Sequence, residues 1–131
     1  RSKGENIDVF FYHHKNSIKE KKLAENIQTT FKQKYTQYQP NRKYSGTVES
    51  RSDLYIIQNT VPAMVYIELG NIKNVKDQKR ILDYENRDAL AKWIVEELNL
   101  IFLKNKRRRL NNISIRRIYS ANLAQKTRIV T

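Results

Sequence analysis

The sequence predicts an α/β fold: part of a mainly parallel twisted sheet flanked by helices, with the amino-terminal strands of that sheet missing. Three observations predict it. Strand-like and helix-like segments alternate over residues 1–103. The run Ala63-Met-Val-Tyr-Ile67 is almost continuously apolar, as a strand covered on both faces would be. Three strands of this buried type leave at least one apolar edge open, which predicts further strands upstream and a tendency to aggregate. The chain begins Arg1-Ser2-Lys3-Gly4 without a Met, which points to a piece of a longer polypeptide.

The elements follow in order. Ile7-Asp-Val-Phe-Phe-Tyr-His13 is rich in β-branched and aromatic residues and predicts a strand. Ser17-Ile-Lys-Glu20 has the capping-box pattern, in which Ser17 accepts an orphan amide and Glu20 reaches back. Leu23, Ile27, Phe31, Tyr35 and Tyr38 then recur at helical spacing, and Pro40 ends the helix. Residues 41–53 are polar and turn-rich and read as a loop. Leu54-Tyr-Ile-Ile57 predicts a short strand, Asn59-Thr-Val-Pro62 a turn, and 63–67 the buried strand. Asn74 and Asp77 form a cap-like pair opening a short helix to about Leu82. A last helix is expected from about Glu85 to Leu103, with Leu90, Trp93, Ile94, Leu98, Ile101 and Phe102 on one face.

Charge is unevenly placed. The 131 residues carry 26 Lys and Arg against 13 Asp and Glu, a net charge of +13. Residues 104–131 hold nine of the basic groups and no acid, so the rest of the chain is close to neutral. The expected division is therefore a domain over 1–103 and a basic tail over 104–131. Such a tail suits contact with a polyanion, or is a solvated, disordered terminus. No specific nucleic-acid partner is expected, because there is no recognition motif and the tail offers one aromatic, Tyr119, for stacking. With no Cys, disulfides, thiolate metal sites and thiol catalysis are excluded.

Glu68 is the residue with chemical content. A carboxylate at the end of an apolar strand, followed by Leu69 and Gly70, suits a general acid or base, and sites in open α/β sheets gather at the carboxyl ends of strands. The same position also suits a helix cap or an ion-pair partner. His13 and His14 are neighbours on a strand and point to opposite faces, so they do not readily grip one metal ion. Arg51, with Asp53 nearby, is a candidate contact for a substrate carboxylate.

The run from Leu54 to Asn74 resembles the carboxyl-terminal part of the catalytic domain of zinc-dependent N-acetylmuramoyl-L-alanine amidases. Pro62, Ala63, Glu68, Leu69, Gly70, Asn74 and Asp77 carry the likeness. Asn6 to Tyr12, Ser17, Leu23-Ala24, Leu90-Ala91 and Trp93-Ile94 extend it loosely over about residues 4–103. Asn71 stands where the family has an aromatic, and Lys73 where it has a small residue.

The resemblance implies hydrolysis of the amide bond between N-acetylmuramic acid and L-alanine in peptidoglycan, in the cell envelope, periplasmic or secreted. It implies Glu68 as the catalytic acid/base and Zn2+ as cofactor; Arg51, placed before the expected second strand, is then either a contact for the stem-peptide carboxylate or a solvated loop residue. The zinc ligands of the family, two His and a Glu, are expected upstream of residue 1, with no metal ligand in the sequence itself, so this piece alone is expected to be inactive. Two alternatives stay open: a metal-free, amidase-like binding or regulatory module of the cell wall, and a basic nucleic-acid binder.

Overall fold

The computed structural model describes residues 9–41 and 46–127, with side chains as far as Arg117. It divides into two compact units, Arg1–Glu97 and Leu98–Thr131. The order of elements is β1 (Phe10–His13), α1 (Ile18–Tyr38), β2 (Thr47–Ser50), α2 (Tyr55–Asn59), β3 (Tyr66–Glu68), α3 (Val75–Leu82) and α4 (Tyr84–Thr127). The α/β class is as expected.

The sheet has three strands in the order β2-β1-β3. β1 pairs parallel with β2, Phe10 opposite Thr47 and His13 opposite Ser50. It pairs antiparallel with β3, Phe10 opposite Glu68 and Tyr12 opposite Tyr66. The sheet is therefore mixed, and not the mainly parallel one expected. The reason lies in the connectors. α1 is a full crossover helix between β1 and β2, as parallel pairing requires. The connector from Arg51 to Val65 holds only the short α2, and β3 re-enters from the end of the sheet that β2 leaves.

Three local expectations are corrected. Thr47–Ser50, expected to lie in a loop, is a strand, because β1 supplies the ladder that a segment with one apolar residue does not announce; residues 42–45 of that loop lie outside the described ones. Leu54-Tyr-Ile-Ile57, expected to be a strand, lies at the start of α2, where the Leu54 carbonyl accepts the amides of Ile57 and Gln58 at 3.0 and 3.1 Å. A short apolar run does not by its pattern distinguish the two. The run 63–67 yields strand only from Tyr66, and Tyr66 is exposed. Pro62 has no N–H, and that of Met64 goes to Glu20 Oε1 at 3.2 Å. Ile7 and Asp8, expected in the first strand, lie outside the described residues.

Ser17 caps α1 as expected, its Oγ accepting the Glu20 amide at 3.2 Å. Glu20 does not complete a capping box. Its side chain is buried, and Oε2 accepts the His14 amide at 2.9 Å while Oε1 holds Met64, so this carboxylate ties the end of β1 to the segment entering β3. The buried stripe of α1 is Ala24, Ile27, Phe31 and Tyr35. Ala24 takes the innermost place expected for Leu23, and Tyr38 is 61% exposed.

The core is Val9 and Phe11 of the first strand segment, this stripe, and Leu90 and Trp93 of α4. Edge-to-face ring contacts join it: Phe11 with Phe31 at 5.4 Å, Phe31 with Trp93 at 5.5 Å, and Tyr35 with Trp93 at 5.3 Å between centroids. Within the first unit the buried stripe of α4 closes at Glu97, whose Oε2 accepts the Thr30 hydroxyl at 2.7 Å.

In the second unit α4 does not stop near Leu103. It runs through the basic segment to Thr127, and no Gly or Pro interrupts it. Leu98 and Phe102, expected on a buried face, are 45% and 66% exposed. Every residue from Phe102 to Arg117 is exposed. Among the described residues no helix is long and apolar enough to cross a membrane.

Candidate active site

Strand alternation decides where the polar groups go. Phe11, Val48, Val65, Ile67 and Leu69 turn toward the core. Register then puts Phe10, Tyr12, Glu49, Tyr66 and Glu68 on the opposite face of the sheet. Phe10 and Tyr12 stack at 5.8 Å between ring centroids, and Tyr12 meets Tyr66 at 6.2 Å. The face is aromatic, with Glu68 half-buried at its margin.

Glu68 is the last residue of β3, as expected. Because β3 is antiparallel, this end lies beside Phe10 at the amino end of β1, so the rule about carboxyl ends of parallel strands does not account for its position. What reaches it is Tyr12. The Tyr12 ring is 1% exposed, and its hydroxyl donates to Glu68 Oε2 at 3.0 Å across a diagonal of the β1–β3 pair.

Arg51 follows the carboxyl end of β2, and its amide is bound to the His13 carbonyl at 3.0 Å. Its guanidinium lies 5.3 Å from the centroid of the Tyr12 ring. The same guanidinium grips Asp53 with two bonds of 2.6 Å, Nε to Oδ1 and NH2 to Oδ2. This fork holds the Asp53 carboxyl below the usual carboxylate value, with a backbone hydrogen bond adding to it. It raises Arg51 in turn, Asp53 being the largest cause and Tyr12 a smaller one. The structure thus brings the two sequence-derived site residues, Glu68 and Arg51, into contact with one tyrosine. Tyr12 had no sequence signal beyond its place in a strand.

The turn after Glu68 is built by the other motif residues. Asn74 caps α3, its side-chain oxygen accepting the amides of Lys76 and Asp77 at 3.0 and 3.1 Å. Asp77 is 1% exposed; Oδ2 accepts the Asn71 amide at 3.0 Å and Oδ1 binds Arg80 at 3.0 Å. Arg80 also donates to the Leu69 carbonyl at 2.5 Å and to the Tyr35 hydroxyl at 3.0 Å. A Cβ on Gly70 would stand 3.0 Å from Arg80 NH2 and 3.2 Å from Asp77 Cβ, so a larger residue would make this pair give way by a few tenths of an ångström. Arg80 was not singled out in the sequence, although its i, i+3 spacing from Asp77 was a legible pairing signal. Beside the turn a cleft of about 550 Å³ is lined chiefly by Leu69, Ile72, Ile81 and Leu82, and offers apolar contact next to the strand that carries Glu68.

The histidines are otherwise engaged. His13 is buried and donates from Nδ1 to the His14 carbonyl at 2.9 Å, while His14 Nδ1 accepts the Asn16 amide at 3.2 Å. Among the described residues no three His, Cys, Asp or Glu side chains come together as a metal-holding group. These residues do not fit a zinc ion.

The sequence model of the family described as N-acetylmuramoyl-L-alanine amidase matches residues 2–99. The chain belongs to that family. No curated protein and no solved structure gives a significant match. Within this amidase family the likeness centred on Glu68, Gly70, Asn74 and Asp77 has a structural content: three of the four residues shape and pin the turn behind the fourth. The family's substrate is peptidoglycan.

Proposed function

We propose that this chain carries the proton-transfer side of a peptidoglycan amidase that hydrolyses the bond between N-acetylmuramic acid and L-alanine of the stem peptide. The supporting observation is Glu68: a carboxylate on the face of the sheet away from the core, with Oε2 held by the Tyr12 hydroxyl. A carboxylate held by a buried hydroxyl can accept a proton from an attacking water and return it to the leaving amine. The new bond joins water oxygen to the lactyl carbonyl carbon, the carbon–nitrogen bond breaks, and the products are a carboxylate and a peptide with a free L-alanine amine. Arg51 stands at the rim with its fork closed on Asp53. The reading places the protein in the cell envelope, with the basic segment 104–131 as a contact for anionic wall polymers.

The test uses the longest natural polypeptide containing this sequence, incubated with purified peptidoglycan. The expected product carries free amino-terminal L-alanine, and Glu68→Gln abolishes its release while binding to the wall persists. Turnover by Glu68→Gln at the wild-type rate would overturn the assignment. Binding with no turnover by the wild type would favour the metal-free binding module.

A further inference from the structure

We infer that Tyr12 is a positioning residue for Glu68, and that Arg51, clamped by Asp53, supports Tyr12. The inference rests on the proposed role of Glu68. The observations form one chain of contacts. The Asp53 fork fixes the plane of the Arg51 guanidinium through two short bonds. That guanidinium sits over the Tyr12 ring. Phe10 stacks on the same ring and Tyr66 tilts against it. The ring is almost wholly buried, and its hydroxyl donates to Glu68 Oε2.

Each link has a physical reason. A tyrosine ring has two side-chain torsions, so packing against Phe10, Tyr66 and the Arg51 guanidinium leaves its hydroxyl little freedom. Glutamate has three torsions and ends a three-residue edge strand, and the Tyr12 hydroxyl restricts where its carboxylate stands. Catalytic geometry is sensitive to displacements of that size. The bidentate grip on Asp53 leaves the Arg51 guanidinium better placed to hold the ring than to capture a substrate carboxylate.

The first measurement needs no activity. In the 131-residue chain with labelled carboxyl and phenol carbons, Tyr12→Phe should shift the Glu68 carboxyl resonance at neutral pH. Reciprocally, Glu68→Gln should shift the Tyr12 Cζ resonance, and Glu85→Gln should not. The reciprocal variant keeps the buried ring in place and so remains informative if Tyr12→Phe fails to fold. Unmoved resonances in both would overturn the contact.

The second measurement is kinetic, in the active polypeptide. Tyr12→Phe should lower kcat roughly tenfold with KM unchanged, and Arg51→Met should lower kcat by less, again without changing KM. A raised KM with unchanged kcat in Arg51→Met would overturn the supporting role and assign Arg51 to substrate. Full turnover by Tyr12→Phe where Glu68→Gln is dead would sink the positioning role alone. Full turnover by Glu68→Gln would sink the underlying reading instead.

Discussion

Asp77 and Arg80 form a buried ion pair 3.0 Å apart, with side chains 1% and 7% exposed, directly behind the turn that follows Glu68. Each partner also serves the backbone of that turn, Asp77 through the Asn71 amide and Arg80 through the Leu69 carbonyl. The pair is therefore part of how the strand carrying Glu68 is terminated.

Removing one partner leaves the other charge buried against its own desolvation cost. Asp77→Ala is expected to destabilise the chain by about 3–5 kcal/mol, as for other broken buried pairs. Urea unfolding followed by circular dichroism measures it. A loss below about 1 kcal/mol, the range of surface pairs, would show that the pair is not buried in solution.

Gly70→Ala introduces a Cβ 3.0 Å from Arg80 NH2. Arg80 is held by three acceptors and is not free to swing away. The expected cost is about 1–3 kcal/mol, the usual range for overpacking. Combining this change with Arg80→Lys should give less than the sum of the two single losses, because the smaller head group relieves the clash.

Trp93 meets Phe31, Tyr35 and Tyr38 and closes the core where α4 crosses α1. Trp93→Ala should cost about 3–5 kcal/mol, and Trp93→Phe markedly less. The midpoint of chemical unfolding reads both. Equal losses would mean that the site collapses without a cavity.

The Arg51–Asp53 fork has a pH dependence of definite sign. Asp53 is held below its ordinary value of 3.8 in the folded chain, chiefly by Arg51. Its contribution is therefore fully present above 3.8 and is lost as pH falls through the lower folded value. The effect is small because both groups are solvated. Between about pH 5 and pH 2 the wild type should lose more thermal stability than Asp53→Asn, which has no such proton to take up. Parallel curves for the two proteins would contradict the fork.

The segment Lys104–Arg117 carries only basic charge, on residues that are all exposed. Binding to a glycerol-phosphate polymer should weaken steadily with salt. Replacing Arg107, Arg108 and Arg109 by Gln should lower both the affinity and the salt slope, by roughly one unit of slope for each phosphate no longer neutralised. A salt-independent affinity would exclude an electrostatic contact.

What could be read in advance had local causes. Ser17 and Asn74 caps, the stripe through Ile27, Phe31 and Tyr35, and Trp93 on the inner face of the last helix all follow from hydrogen-bonding chemistry and a 3.6-residue period. Glu68 stood out because a carboxylate ends an apolar run, and the motif around it carried the family. The apolar stripe predicts a helix end near Leu103, but α4 continues because nothing in the segment breaks it.

The remainder depended on partners far apart in sequence. Whether 47–50 is a strand, whether β3 runs antiparallel, and which strand end Glu68 lies beside are set by pairing with β1, through backbone groups that every residue carries alike. Local pattern named Glu68, Gly70, Asn74 and Asp77. Only the tertiary structure placed the Tyr12 hydroxyl on Glu68 and the Arg51 guanidinium on Tyr12, because those contacts join three segments whose spacing along the chain carries no period.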